Sequence, residues 1–562
     1  MKVRSFIKIF VLSSVVSTGY ANQSSKKVPI QYAPENKLEF EMPDIQEPAI
    51  PDYTVSIKDF GAKSGGHILN TQAFADAISA VSSKGGGKVV IPPGIWLTGP
   101  IILKSNLELH AESGALIVFS TDKDLYPIIE TSFEGLDTWR CISPIYGKNV
   151  ENIAFTGMGI WDGSGDSWRF VKRSKLNASQ WKKLVASGGI VSENGDEWYP
   201  SEQYRKGMAG TGSLNVRNDL NTKEDFEAIR DFLRPVMVSI QNSKRVLFDG
   251  PGFQNSPAWC IHPLVVEHLT IKNITVRNPW YSQNGDGLDI ESCKNVLVEN
   301  CNFDVGDDAI CVKSGKDEDG RRRGIPCENI IIKNNVVYHG HGGVVVGSEM
   351  SGGVKNMHVS NCTFIGTDVG LRFKSTRGRG GVVENVFVSD IKMMDIPTIG
   401  ISFNMYYGGL SVSEALEEGQ MKGSTELFPI DEKTPQFKKI KISGITLKGA
   451  QQAIFLQGLP EMNLESVELE NMILEAKSGL TAFDVNGLKI SNISLTTDDN
   501  RALKLFNCKN VEVEDIDYNF NSPEAILIEG AESENISILS PINELERFTR
   551  IGNEVLKDSV KF

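Results

Sequence analysis

The feature that most constrains this chain is a repeat. From Asn149 to about Ser540 one pattern returns, a short alternating strand followed by an Asn or Gly turn and a second short strand. It shows in "NVENIAFTG", "VEHLTIKNITV", "CKNVLVENCNF", "CENIIIKNNVV", "VKNMHVSNCTF" and "VNGLKISNISL". Units of this kind recur every roughly 20 to 34 residues. One unit has too little apolar surface to fold alone, but stacking buries the apolar face of each against the next. The repeat therefore predicts an all-β chain, a right-handed parallel β-helix forming one domain over residues 52–545 in spite of the length. Residues 546–562 are expected to be a C-terminal tail.

The segments outside the repeat fit such a solenoid. Lys2, Arg4 and Lys8 precede the apolar run "IFVLSSVV", and small residues lead to a cut after Ala21, so residues 1–21 are expected to be a signal peptide. Residues 22–51 are polar and rich in Pro, Glu and Lys, which predicts a linker or extended arm. "NTQAFADAISAVSS" then reads as an amphipathic helix capped by Asn70 or Thr71, with Ala73, Ala77, Ile78 and Val81 on its inner face. A helix there would plug the open end of the coil, where strand edges are otherwise bare. Two stretches interrupt the rhythm. One covers about 166–234, with Trp168, Trp181, Trp198 and a predicted helix, "TKEDFEAIRDFLR", whose Phe226, Ile229 and Leu233 share a face; the other, about 410–436, is polar and Glu-rich. Such insertions either decorate the binding face or only cover surface, and the sequence leaves both open.

Composition narrows the partners. A net charge of -13 excludes a nucleic-acid ligand, which would need a basic surface, and means that any polyanion must be held by local cations. No segment after the signal is apolar and long enough to span a bilayer, so a secreted or periplasmic product is expected, and a monomer. Eight cysteines without a CxxC pair suit neither a disulfide scaffold nor a zinc site, and no metal or cofactor is expected. Cys311 and Cys327 bracket a charged loop and are the candidate pair for a disulfide. The sequons at Asn273, Asn361, Asn492 and Asn535 occupy equivalent places in the repeat, so they read as turn asparagines bonded along the stack. Asn177 is the better surface acceptor for a glycan.

The chemistry concentrates between Asn284 and Lys374, where "NGDG", "GDD", "GHG" and "RFK" follow one another in successive units. They supply Asp286, Asp307, Asp308, His341, Arg372 and Lys374. Three carboxylates, an imidazole and two fixed cations suit acid/base hydrolysis of an anionic substrate. Crowded carboxylates cannot all ionise easily, so one keeps its proton to higher pH and can donate it. Arg372 and Lys374 are two apart, and on a strand both project from one face, where they could grip a carboxylate. Asn284 is placed to orient substrate or the neighbouring turn. The loop "KSGKDEDGRRRGIP" adds Lys313, Arg321, Arg322 and Arg323, and "KSTRGRGG" adds Arg377 and Arg379, which either line the rim for further acidic sugars or are solvated.

This order and spacing resemble glycoside hydrolase family 28, the polygalacturonases, whose usual pattern is NTD, GDD, GHG and RIK. Gly285 and Phe373 depart from it, and neither replaces a group that does chemistry. The resemblance implies Asp307 as general acid, Asp286 with Asp308 as the base that holds the attacking water, and His341 as support for the acid. It further implies Arg372, Lys374 and Tyr407 as substrate-binding residues, Tyr406 being an alternative for the last. Lys313 and Arg322 are added as substrate contacts. The expected activity is inverting hydrolysis of α-1,4-galacturonosidic bonds in pectin, an acidic plant polysaccharide. Exo action is expected on separate grounds: the two insertions and the charged loop could wall off one end of the cleft, with the loop's arginines clasping a terminal uronate. Inversion leads to an expected separation of about 6.5–9.5 Å between acid and base. The alternatives are a rhamnogalacturonan or substituted-galacturonan hydrolase, a calcium-dependent pectate lyase and a non-catalytic polysaccharide-binding β-helix.

Overall fold

The computed structural model describes residues 38–209, 215–408, 424–539 and 545–562. The expected signal peptide and most of the second insertion lie outside them. Within them the chain winds as a right-handed parallel β-helix, its strands joined in one continuous parallel sheet. Register explains the core. Leu288, Ile310, Val344, Leu371, Ile401, Ile454, Leu480 and Leu503 are successive partners across neighbouring turns, and all are buried. Ile290, Val312, Val346, Phe373 and Phe403 form a second such column. Because strand side chains alternate, the residues between these columns face outward, and they build the site.

The turns are held by asparagine. Asn295, Asn329, Asn356 and Asn385 all adopt left-handed backbone, with φ near 57°, which Asn tolerates better than most residues. Each amide donates to the carbonyl oxygen of the one before it: Asn329 to Asn295 at 3.0 Å, Asn356 to Asn329 at 3.1 Å and Asn385 to Asn356 at 3.1 Å. The sequon asparagines do likewise, Asn361 on Asn334, Asn492 on Asn471, Asn535 on Asn510 and Asn273 on Asp249. Asn177 is exposed and caps the helix Ala178–Ala186.

The helix Thr71–Ser83 closes the first turn with Ala73, Phe74, Ala77, Ile78 and Val81 buried. Asn70 stands at its N-cap, but its side chain accepts instead from Lys63 N at 2.7 Å and donates to Ile68 and Leu97 carbonyls, tying the preceding loop to the coil. The arm from residue 38 runs without regular structure, and Glu39, Gln46 and Glu47 contact His358, His268 and Lys272. In the first insertion the expected helix is short, Lys223–Glu227, followed by a 3-10 turn at Arg230–Phe232. Phe226, Ile229 and Leu233 are nevertheless buried together, in a satellite cluster with Trp168 and Tyr204.

Two expectations are corrected. The end of the chain is part of the coil: Thr549–Ile551 pairs with Ile526–Glu529, and Val560–Lys561 with Glu534–Leu539. Cys311 and Cys327 are unbridged, like the other six cysteines, and all eight are buried. Cys327 points into the core, whereas Cys311 lies between the inward Ile310 and Val312 and so faces out, its thiol 3.3 Å from the Gly347 carbonyl. Side chains on opposite faces of one wall cannot meet. Among the described residues no helix is long and apolar enough to cross a membrane.

Candidate active site

Asp286, Asp307 and Asp308 come from two adjacent turns. Asp286 stands two residues before the strand Leu288–Glu291, and Asp308 opens the strand Asp308–Lys313 that pairs with it. Ala309 and Ile310 both join the core, so the alternation slips by one and Asp308 faces outward with Cys311 and Lys313. Asn278 fixes the Asp286 loop by donating to the Gly285 and Asp286 carbonyls, each at 3.1 Å. The three acids each place an oxygen within 4.8 Å of the others. The expected wider separation is therefore not met by their nearest oxygens. Groups stacked on neighbouring turns sit at the inter-strand spacing, about 4.8 Å.

The glycines of the motifs have structural causes. A Cβ on Gly340, whose φ is +147°, would stand 2.7 Å from the Asp307 carbonyl, so His341 can follow Asp307 closely only after a glycine. Its backbone N–H donates to that carbonyl at 2.9 Å, and its Nδ1 lies 3.1 Å from Asp307 Oδ1. A Cβ on Gly285 would collide with Ser282 Oγ, which explains why this loop reads NGD where a larger residue is usual. The other departure, Phe373, faces the core and stacks on Phe403 at 4.2 Å.

Arg372 and Lys374 lie on the outer face of the strand Val369–Lys374, and both reach Asp308: Arg372 Nη1 at 3.3 Å and Lys374 Nζ at 2.7 Å. The Tyr407 ring is 5.5 Å from the Arg372 guanidinium and 4.9 Å from the Lys374 ammonium, and it lines the same cleft. Tyr406 instead sits over Arg377, which grips Glu461 in a two-pronged ion pair, so of the two tyrosines it is Tyr407 that lies beside Arg372 and Lys374.

These contacts set the charges. Burial, together with Asp307 and Asp289, holds Asp286 well above the usual carboxylate range, and its Oδ1 has no protein partner. Burial also acts on Asp307, but His341, Lys374 and Arg372 outweigh it and hold that carboxyl below the usual range. Asp308 behaves alike, burial being outweighed by Lys374 and Arg372. For His341 burial lowers the pKa, and Asp307 raises it further than that. Burial and neighbouring carboxylates thus favour the protonated form of Asp286, while the Asp307–His341 contact favours a charged pair. The three carboxylates are close enough to share a cation, but Arg372 and Lys374 already balance Asp308 and would compete with it.

The cleft occupies about 1530 Å³ and gathers all of Asn284, Asp286, Asp307, Asp308, Lys313, His341, Arg372, Lys374 and Tyr407. Asn284 accepts from Arg234 Nη2 at 3.1 Å. Lys313 is buried, 2.7 Å from Glu349 and with its ammonium over Trp259, so its charge is already matched inside the protein. Arg322 is a correction. It is outside the cleft, exposed and paired with Asp137 and Asp319 at 2.7 and 2.8 Å. Arg321 and Arg323 are likewise engaged, with the Gly378 and Arg379 carbonyls and with Glu291. The loop becomes a short helix, Asp317–Arg323, whose arginines stitch it down. Among the described lining residues are eight Lys and Arg against seven Asp and Glu, a local balance unlike the chain's net -13.

Several residues in and behind the cleft escape a reading by motif. Glu349 and Trp259 surround Lys313, and Arg234 fastens the Asp286 loop through the Pro257 and Gln283 carbonyls, each at 3.0 Å. Asp289, three residues after Asp286, is buried without a hydrogen-bond partner and repels it; its only sequence signal is its place in "NGDGLDI". The first insertion supplies Phe170, Lys172, Lys175, Tyr199 and Arg205 to one wall.

A β-helix whose outer face carries this acid cluster, with two cations two residues apart on the next strand, has the outline of a carbohydrate hydrolase. Residues 208–419 match the family described as "Glycosyl hydrolases family 28". The chain is 31% identical to the hyperthermoactive exopolygalacturonase of Thermotoga maritima, at a TM-score of 0.62, over 82% of this chain and 94% of that one. A probable polygalacturonase of Vitis vinifera is 29% identical over 351 residues, 61% of each protein, so the chain spans about three fifths of that relative. The exo-poly-alpha-D-galacturonosidase of Dickeya chrysanthemi is 24% identical over 79% of this chain and 72% of that one. The chain belongs to glycoside hydrolase family 28.

Proposed function

We propose that the protein hydrolyses α-1,4-galacturonosidic bonds of polygalacturonan by an inverting acid/base displacement, releasing short products from a chain end. One observation carries the reading: in a single cleft Asp307 is in contact with His341, while Arg372 and Lys374 hold Asp308 from the side that Tyr407 closes. Each cation keeps donors beyond those used on Asp308, and a galacturonate carboxylate fits them. Family membership and the names of the relatives point the same way.

Substrate binding itself prepares Asp307 to act as the acid. A uronate carboxylate docked at Arg372 and Lys374 cancels part of the positive potential that depresses Asp307. Asp307 then takes the proton from His341 across their 3.1 Å contact and passes it to the departing glycosidic oxygen. Asp308, ionised beforehand, draws the proton from the attacking water, which Asp286 helps to hold. The short carboxylate spacing does not by itself choose inversion. The support for it is membership of the family, whose pattern implies that Asp286 and Asp308 hold a water between them.

The expected signal peptide supports a secreted or periplasmic location. The test is to incubate the protein with polygalacturonate and rhamnogalacturonan separately, with excess chelator, and to size the products. Galacturonate or short oligomers from the first alone are expected at mildly acidic pH. Cleavage only of rhamnogalacturonan would replace the substrate, and loss of activity with chelator, restored by calcium with an ultraviolet-absorbing product, would replace hydrolysis by a lyase. Proton NMR of the first-formed sugar decides stereochemistry: a β product is expected, and an α product overturns inversion.

A further inference from the structure

We propose that the wall built by the first insertion is a second uronate subsite, with Trp280 as the platform for a sugar face and Lys175 and Lys172 as the holders of its carboxylate. The proposal rests on the galacturonan reading of the cleft. Trp280 is 59% exposed, although an indole is among the most favourable groups to bury. It belongs to the loop that Asn278 anchors, six residues before Asp286, and it lines the catalytic cleft. From the insertion, Lys175 brings its ammonium to 5.7 Å from the Trp280 ring. Lys172, in the strand Val171–Lys172 just before the 3-10 turn that carries Lys175, lines the same wall.

What singles out these lysines is that they have no carboxylate partner among the described residues. Their neighbour Arg205 is paired with Glu202, and Glu197, opposite Lys172 in the small antiparallel sheet, accepts from the Tyr199 hydroxyl at 2.5 Å. Glu193 also lines this wall, so the site is polar and not uniformly basic. The cleft therefore holds two sets of cations with an aromatic ring: Arg372, Lys374 and Tyr407, and Lys172, Lys175 and Trp280. A galacturonate carries one carboxylate, so two sets call for two units of the same chain. In the first set Arg372 and Lys374 are buried and ion-paired, suited to the reacting part of the substrate. In the second Lys172 and Trp280 are exposed and Lys175 is half-buried, suited to recognising a unit farther from it.

The experiment compares Trp280→Ala, Trp280→Tyr, Lys175→Ala and Lys175→Arg with the full-length parent on tri- and tetragalacturonate. Expected is a KM about tenfold higher for each alanine variant with kcat within twofold, and recovery of most of the loss by Tyr and Arg. Binding of trigalacturonate to Asp307→Asn, followed by indole fluorescence, should respond in that background and be lost with Trp280→Ala. KM values within twofold of the parent for both alanine variants would overturn the subsite. A fall in thermal midpoint not restored by Tyr or Arg would do the same, since it reports a structural role. A parent that cleaves no galacturonan sinks the functional reading instead, and that outcome is separate from the first.

Discussion

At the scale of single residues, the proposed acid step turns on the contact between Asp307 and His341. Each shifts the other's titration: burial opposes ionisation of both, and their mutual attraction outweighs it. The raised pKa of His341 means that the pair keeps its proton below that value and loses it as pH rises through it. In His341→Gln, Asp307 must hold the proton alone and titrates nearer the carboxylate range. The alkaline limb of kcat/KM is expected to move to lower pH by at least about one unit, as a pH profile would register. An unmoved limb would dissociate the two residues. Asp307→Asn keeps the shape and cannot deliver a proton, so turnover should fall by about 10²–10⁴-fold while trigalacturonate still binds. Activity within tenfold of the parent, in a folded variant, would remove Asp307 as the acid.

At the scale of elements, the coil is stitched by its asparagine column as well as its core. Asn356 is central, donating to Asn329 and accepting from Asn385, with φ at 57°. Asn356→Ala removes both bonds and puts a Cβ without compensation into left-handed backbone. A loss of about 1–3 kcal/mol is expected, read as a lower denaturant midpoint with kcat unchanged. This column was legible in the sequence because stacking forces equivalent residues into register, so the recurring Asn already implied its partner one turn away. The same holds for Arg372 and Lys374, whose shared face follows from a period of two. The charged loop was not legible. Whether an arginine is free or paired depends on what lies opposite in space, and Asp137 and Glu291 are far from Arg322 and Arg323 in sequence. The cysteine pair failed for a related reason, since proximity along the chain does not say which face each thiol takes. Nor did the motifs disclose that two adjacent turns bring the acids to inter-strand spacing.

At the scale of the whole molecule, a plain β-helix offers a groove across its flank that is open at both rims, and a long polymer can lie in it anywhere along its length. Here the first insertion raises a wall, from Phe170 to Arg205, beside the carboxylates. The arginines of the charged loop are engaged with Asp137, Asp319, Glu291 and backbone carbonyls, which leaves this wall to favour exo action. If it blocks one rim, only a chain terminus can enter, and each event releases a short product. Reducing ends should then accumulate from polygalacturonate while the viscosity of the solution stays high, with mono- or digalacturonate dominant from the first minutes. An early collapse in viscosity with mixed oligomers would mean that the polymer passes the wall, and the action would be endo.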